Sequence, residues 1–277
     1  MRYKQSAGTR QMSTANFGKR LEGKVAIVTG GGGAMGGAQC RLFAEHGAAV
    51  CVADFRMDAA EAVRSDIAEN GGNAIAYELD VRDEAGWADC VSATEDAFGP
   101  VSILCNNAGA NFRVSFDDQS LDMWNIIMET GLTGAFLGIK AVVPSMRRAG
   151  SGAILNIGSL ASIRPGGGSP GYAAQKMGMV GLNRAAAASY AKENIRSVII
   201  SPGHVDTPFI RGNNAYSPND PSTSIDNPEN YEGRRSNTPM GRLMMPEDLA
   251  NAFLFAASDE ASGVTGSMIT VDGGAAL

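Results

Sequence analysis

Residues 24–37, Lys24-Val-Ala-Ile-Val-Thr29 followed at once by Gly30-Gly-Gly-Gly-Ala-Met-Gly-Gly37, decide the fold. The first six form a short, mostly β-branched apolar run, as expected of a strand buried on both faces. The glycines allow a tight turn and a close backbone approach, and Ala38 to His46 then reads as a helix ending at Gly47. A helix starting on such a turn points free amides and the positive end of its dipole forward, which suits a pyrophosphate. A second apolar strand follows, Ala48-Ala-Val-Cys-Val-Ala-Asp-Phe55, with Asp54 near its end. An acidic side chain about twenty residues past the glycines accepts hydrogen bonds from adenosine ribose hydroxyls and repels a 2′-phosphate.

The alternation continues downstream. Helical patterns cover 58–70, 84–98 and Leu121 to about Arg148, and strand patterns cover Ala74–Leu79, Val101–Cys105 and Ala153–Ile157. A helix carrying Tyr172, a strand at Ser197–Ser201, a helix at 246–258 and a strand at Met268–Asp272 complete the series. Helix and strand alternating at this interval predict a doubly wound α/β sheet of about seven parallel strands, with right-handed crossovers placing helices on both faces. One domain is expected over 21–277, after a flexible tail at 1–20 that lacks apolar periodicity. Phe209 to Arg242, rich in Asn, Pro, Ser and Gly, interrupts the series and reads as a structureless substrate lid.

Ser159 to Lys176, SLASIRPGGGSPGYAAQK, carries the chemistry. Tyr172 and Lys176 stand four apart, one above the other on a helix. An ammonium ~4 Å from the phenol, at an effective dielectric of ~20, favours the phenolate by about 4 kcal/mol, or about three pKa units. That brings a weak base toward its working pH. The Gly-Pro-rich segment between them lets Ser159 fold back, so that its hydroxyl donates to a substrate oxygen while Tyr172 takes or gives a proton.

Composition excludes other classes. The chain has 277 residues, is 44% hydrophobic and carries a net charge of −6 with no long basic run, which argues against nucleic acid. No apolar run near twenty residues and no signal-peptide pattern points to a membrane or export. Cys40, Cys51, Cys90 and Cys105 lack metal spacing, and two histidines are too few for a metal site, so no metal is expected. A reduced, cytoplasmic protein is the expectation.

Along almost its whole length, about Leu21 to Gly274, the chain resembles the short-chain dehydrogenase/reductase family. The matching motifs are Thr29-Gly30 with Ala34 and Gly36, Asp80-Val81, Asn106-Asn107-Ala108-Gly109 and Ser159, then Tyr172-x-x-x-Lys176, Pro202-Gly203 with Val205 and Thr207, and Val271-Asp272-Gly273-Gly274. The resemblance implies a Rossmann-type fold, a homotetramer and an NAD cofactor. It implies catalytic roles for Ser159, Tyr172 and Lys176. Gly30, Gly33, Ala34, Met35 and Gly36 would wrap the pyrophosphate, Asp54 the adenosine ribose, and Asp80 and Val81 the adenine. Asn106, Asn107, Ala108 and Gly109 would support the adenosine half. Tyr172 and Lys176 would meet the nicotinamide ribose, and Pro202, Gly203, Val205 and Thr207 the carboxamide.

One departure is plain: Gly131 stands where the family carries a catalytic asparagine. Its backbone carbonyl remains available for the family's water-mediated relay to Lys176. Close approach of another helix is the reading preferred for Gly131, Gly134 and Gly138. Candidate substrate contacts are Asn111, Phe112, Arg164, Met177, His204 and Phe209, with Met240, Met244 and Met245 as an apolar wall. Arg164 has two readings, a partner for a substrate carboxylate or a charge decorating the loop, and the second is preferred. The expected activity is NAD-dependent interconversion of a secondary alcohol, cyclic alcohols included, and its ketone. The alternatives are an NADPH-dependent carbonyl or 3-oxoacyl reductase, kept open by Arg56, and a non-catalytic cofactor-binding protein.

Overall fold

The structure is a computed structural model, and it describes residues 18–164, 168–211 and 222–277. The expected tail therefore lies mostly outside the described residues, as do parts of the Ser159–Tyr172 loop and of the expected lid. Seven strands form one parallel sheet: β1 Val25–Thr29, β2 Ala49–Asp54, β3 Asn73–Glu78, β4 Ile103–Asn106, β5 Gly152–Ile157, β6 Ile195–Pro202 and β7 Met268–Val271. Their order is β3-β2-β1-β4-β5-β6-β7, with every neighbouring pair parallel. The order reverses between β1 and β4, which opens a crevice beyond the carboxyl ends of these strands.

The helices are α1 Ala34–Glu45, α2 Met57–Glu69, α3 Glu84–Phe98, α4 Leu121–Met128, α5 Gly134–Ala149, α6 Pro170–Tyr190, α7 Pro228–Ser236 and α8 Pro246–Ala257. The central strands read as unbroken apolar runs because both faces are covered. Ala26 and Val28 of β1 pack with Phe43 of α1 and Phe253 of α8 on one face. Ile27 turns to the other face and packs with Trp87 of α3 and Val142 of α5. Burying side chains of this size contributes roughly 1.5–3 kcal/mol each.

Two expectations need correction. The 209–242 segment is not structureless among its described residues, since α7 occupies Pro228–Ser236. The Asn227 side chain accepts from the Glu229 amide at 3.0 Å, Pro228 opens the helix, and Arg234 and Arg235 stand in its last turn. The stretch Leu121–Ala149 is also long and apolar enough to cross a membrane by length and composition, with a mean hydropathy of 1.5 over 18 residues. Here Ala135, Ile139, Val142, Val143 and Met146 of that stretch are buried in the protein.

Candidate active site

The turn after β1 is built for backbone to approach a ligand. Gly30 has φ +64°, and a Cβ on Gly36 would stand 2.1 Å from the Gly30 carbonyl oxygen. No other side chain fits that cradle. Gly33 caps α1 without a side chain, which leaves the first amides of the helix open to an anion. Thr29 Oγ1 donates to the Cys105 carbonyl and accepts from the Asn107 and Ala108 amides, at 3.0 to 3.1 Å. Asn107 Nδ2 reaches the Thr29 carbonyl at 3.2 Å. The segment after β4 thus braces the glycine turn. Asn106 lies beneath it, donating to Asn156 Oδ1 at 2.9 Å.

Asp54 ends β2, with its carboxylate accepting from the Gly32 amide at 3.0 Å and the Arg56 amide at 2.9 Å. Arg56 Nε stands 3.9 Å from the same carboxylate. Asp80 is paired with Arg82 at 2.6 Å, and hydrogen bonds from Arg82 hold its carboxyl below the usual range.

Ser159 follows β5 in extended backbone and accepts from the Ala161 amide at 3.2 Å. Ser169 caps α6 by accepting from the Tyr172 amide at 3.2 Å, which sets Tyr172 in the first turn. Burial raises the Tyr172 phenol above its ordinary value, while the Ser159 hydroxyl and the Arg113 charge pull it back. Lys176 Nζ lies 5.4 Å from the Tyr172 ring centroid and donates to the Ile157 carbonyl at 2.9 Å. Burial pushes the Lys176 ammonium down to about 7. The Arg113 charge, which the Tyr-x-x-x-Lys spacing does not announce, thus also acts on the phenol. Lys176 is itself desolvated.

Between α4 and α5 the chain makes one wide π turn, Glu129–Thr133, and the Gly134 amide donates five residues back to Glu129. Gly131 is buried inside it. A Cβ there would stand 2.6 Å from Cδ of Gln175, the residue before Lys176. Gly134 and Gly138 are crowded likewise by Val81 and Trp87. Gln175 belongs to α6 and Trp87 to α3, so Gly131 and Gly138 admit other helices of this chain, as the reading of a close helix approach expects. Gln175 Nε2 is buried with no hydrogen-bond partner among the described residues.

Every residue named from the sequence for catalysis or cofactor binding, except the buried Asn106, lines one cavity of about 1520 Å³ at the carboxyl ends of the strands. Pro202, Gly203, Val205 and Thr207 form its wall after β6, and a Cβ on Gly203 would stand 2.8 Å from the Asp272 Cα. Asn111, Phe112, Arg164, His204 and Phe209 line the same cavity, but Met177 does not and points outward, 55% exposed. The methionine wall also fails: Met244 is buried, Met240 and Met245 are exposed, and none lines the cavity. Sequence reasoning missed Arg113 and Arg234, which do line it. Arg113 follows a strand's carboxyl end, where ligands gather in open α/β sheets, and that signal could have found it.

Comparison with known proteins agrees with this geometry. The pattern of the family described as "Enoyl-(Acyl carrier protein) reductase" matches residues 32–276. The 2,5-dichloro-2,5-cyclohexadiene-1,4-diol dehydrogenase LinX of Sphingobium indicum is 38% identical over 255 residues, 92% of this chain and 97% of that one. The trans-4-hydroxycyclohexanecarboxylate dehydrogenase of Sinomonas cyclohexanicum is 34% identical over 261 residues, 92% of this chain and 93% of that one. A crystal structure of a short-chain dehydrogenase/reductase from Burkholderia xenovorans superposes with a TM-score of 0.83 at 36% identity, covering 93% of this chain and 98% of that one. The Rossmann-type sheet, the nicotinamide cofactor and oxidoreductase action on CH–OH groups all follow from this kinship. The chain belongs to the short-chain dehydrogenase/reductase family.

Proposed function

We propose that the protein is an NAD-linked dehydrogenase that interconverts a ring secondary alcohol and its ketone, with Tyr172 as the proton acceptor and donor. The observation that carries the reading is one cavity holding Ser159, Tyr172 and Lys176 at one end and the glycine cradle at the other. The cradle, into which a Cβ on Gly36 would collide, fits a dinucleotide held by backbone amides. A nicotinamide held there would supply the hydride acceptor for the alcohol carbon, so that alcohol plus oxidised cofactor would give ketone, reduced cofactor and one proton.

The chain's own residues handle that proton. Ser159 donates to the substrate oxygen, Tyr172 takes the hydroxyl proton, and Lys176 passes it on toward solvent by way of the π turn. Asp54 supports NAD, because its carboxylate meets the 2′ position with repulsion for a phosphate. Ring alcohols are supported by the names of the two relatives, both of which act on six-membered rings. Four free, buried cysteines support a reducing, cytoplasmic setting. The apolar groove between α5 and α6, lined by Leu132, Phe136 and Leu182, supports a homotetramer, and Phe136 is 50% exposed there. The segment around α7 serves as the substrate lid of a single dehydrogenase domain.

The test is absorbance of reduced nicotinamide with NAD or NADP across ring and open-chain secondary alcohols. Turnover of ring alcohols with NAD is expected. Activity with NADP alone would overturn the cofactor assignment, and activity on open-chain alcohols alone would overturn the substrate assignment.

A further inference from the structure

Resting on the dehydrogenase reading, we propose that Arg113, Arg164 and Arg234 form a subsite for a carboxylate carried by the substrate, which is therefore a hydroxy acid oxidised to an oxo acid. The three come from separate segments: the loop after β4, the loop before α6, and α7. All three line the cavity that holds Tyr172. None makes an ion pair among the described residues, whereas Arg56 and Arg82, at the adenosine end, face Asp54 and Asp80. The only acidic residues among the described lining are those two. Among the described residues, the Tyr172 end therefore holds three guanidinium groups and no carboxylate.

Arg113 is the best placed of the three. It is half-buried, with its Cγ packed 2.9 Å from where a Cβ on Gly168 would stand. Among the described residues its Nη2 makes only a long contact, 3.4 Å, to the Phe209 carbonyl, and its Nη1 is buried with no hydrogen-bond partner. Arg234 Nη2 donates to the Thr223 carbonyl at 2.9 Å, which aims the rest of its guanidinium.

These charges feel one another. Burial and the Arg234 charge push Arg113 down to about 10. Burial, then Arg234, Arg164 and Arg113, push His204 down to about 4. A desolvated cation without a counter-charge is strongly unfavourable in a protein, and a ligand carboxylate would relieve it with bidentate, charge-assisted hydrogen bonds. Phe112, Val114, Ile126, Phe209 and Ile210 supply apolar wall for the carbon skeleton between the carboxylate and the alcohol. The pyrophosphate of the dinucleotide is the other anion available, but its cradle lies at Gly30–Gly36, after β1.

The experiment has a binding arm and a kinetic arm. Calorimetry measures cyclohexanecarboxylate and cyclohexanecarboxamide, neither of which carries an alcohol, against the protein saturated with NAD. The acid is expected to bind at least tenfold tighter than the amide, with the gap shrinking as salt rises. Arg113→Gln and Arg234→Gln should each collapse the acid-to-amide ratio, and Arg113→Lys should recover part of it. Equal affinity for acid and amide in the unaltered protein overturns the subsite, whatever the protein oxidises. So does a variant that weakens both ligands alike, which marks a structural arginine. In the kinetic arm, kcat/KM for 4-hydroxycyclohexanecarboxylate should exceed that for its carboxamide at least tenfold while the KM for NAD is common to both. A carboxylate that binds in an enzyme that oxidises no alcohol refutes the dehydrogenase reading and leaves the subsite standing.

Discussion

Replacing Gly131 by alanine puts a methyl group 2.6 Å from Gln175 Cδ, 2.8 Å from its Nε2 and 2.9 Å from its Cγ. The outer amide can swing away, but the Cγ is tied more closely to the α6 backbone. Overpacking of this kind costs about 1–3 kcal/mol. Alanine recovers about 1 kcal/mol of that through its helical preference over glycine. Gly131→Ala should therefore be neutral to destabilising by about 2 kcal/mol, a fall in Tm of up to roughly 8 °C for a chain of this size. Asparagine, the residue the family carries at this position, should cost more. In a Gln175→Ala background the obstruction is gone, and the same Gly131→Ala change should stabilise by about 1 kcal/mol. Urea unfolding of the four proteins in this cycle should give a coupling of about 1–3 kcal/mol. Additivity to within about 0.5 kcal/mol would refute the idea that Gln175 fills the space over the π turn. Turnover of the Gly131→Asn, Gln175→Ala double variant then tests the relay. A modest change is expected if the backbone carbonyl suffices, and a large gain would show that catalytic power went with the missing side chain.

Tyr172→Phe should reduce turnover by several orders of magnitude and leave NAD affinity largely intact by calorimetry; a comparable loss of both in a folded protein would remove the tyrosine from its role. Asp54→Ala should narrow the preference for NAD, mainly by improving kcat/KM for NADP, and no change would mean that Arg56 governs the 2′ position. Lys176 carries a charged form that folding disfavours, with its value lowered from 10.5 to about 7. Between those values the unfolded chain binds more protons, so this residue makes stability rise with pH from about 7 to about 10, by at most about 1.4 kcal/mol per pH unit. Lys176→Met should flatten that slope in urea titrations, and an unchanged slope would show that the ammonium is solvated.

The sheet was readable in the sequence because its signals are local. KVAIVT and the glycines at Gly30 to Gly37 state a buried strand, a tight turn and a helix start within fourteen consecutive residues. Ser159, Tyr172 and Lys176 were readable for a similar reason: one cap, one helix face and one short loop relate them. α7 was missed because its cap, Asn227, sits among Asn, Pro and Ser residues whose composition alone suggests irregular chain. What only the tertiary structure decided is which distant segments face one another. Gln175 packs over Gly131 across two helices, and Arg113 lines the same cavity as Tyr172, its charge lowering the phenol. Arg113, Arg164 and Arg234 share one wall although about fifty and seventy residues separate them. Spacing along a chain carries periodicity within an element, but the meeting of three loops is set by how the parallel sheet orders its strands and twists their ends together.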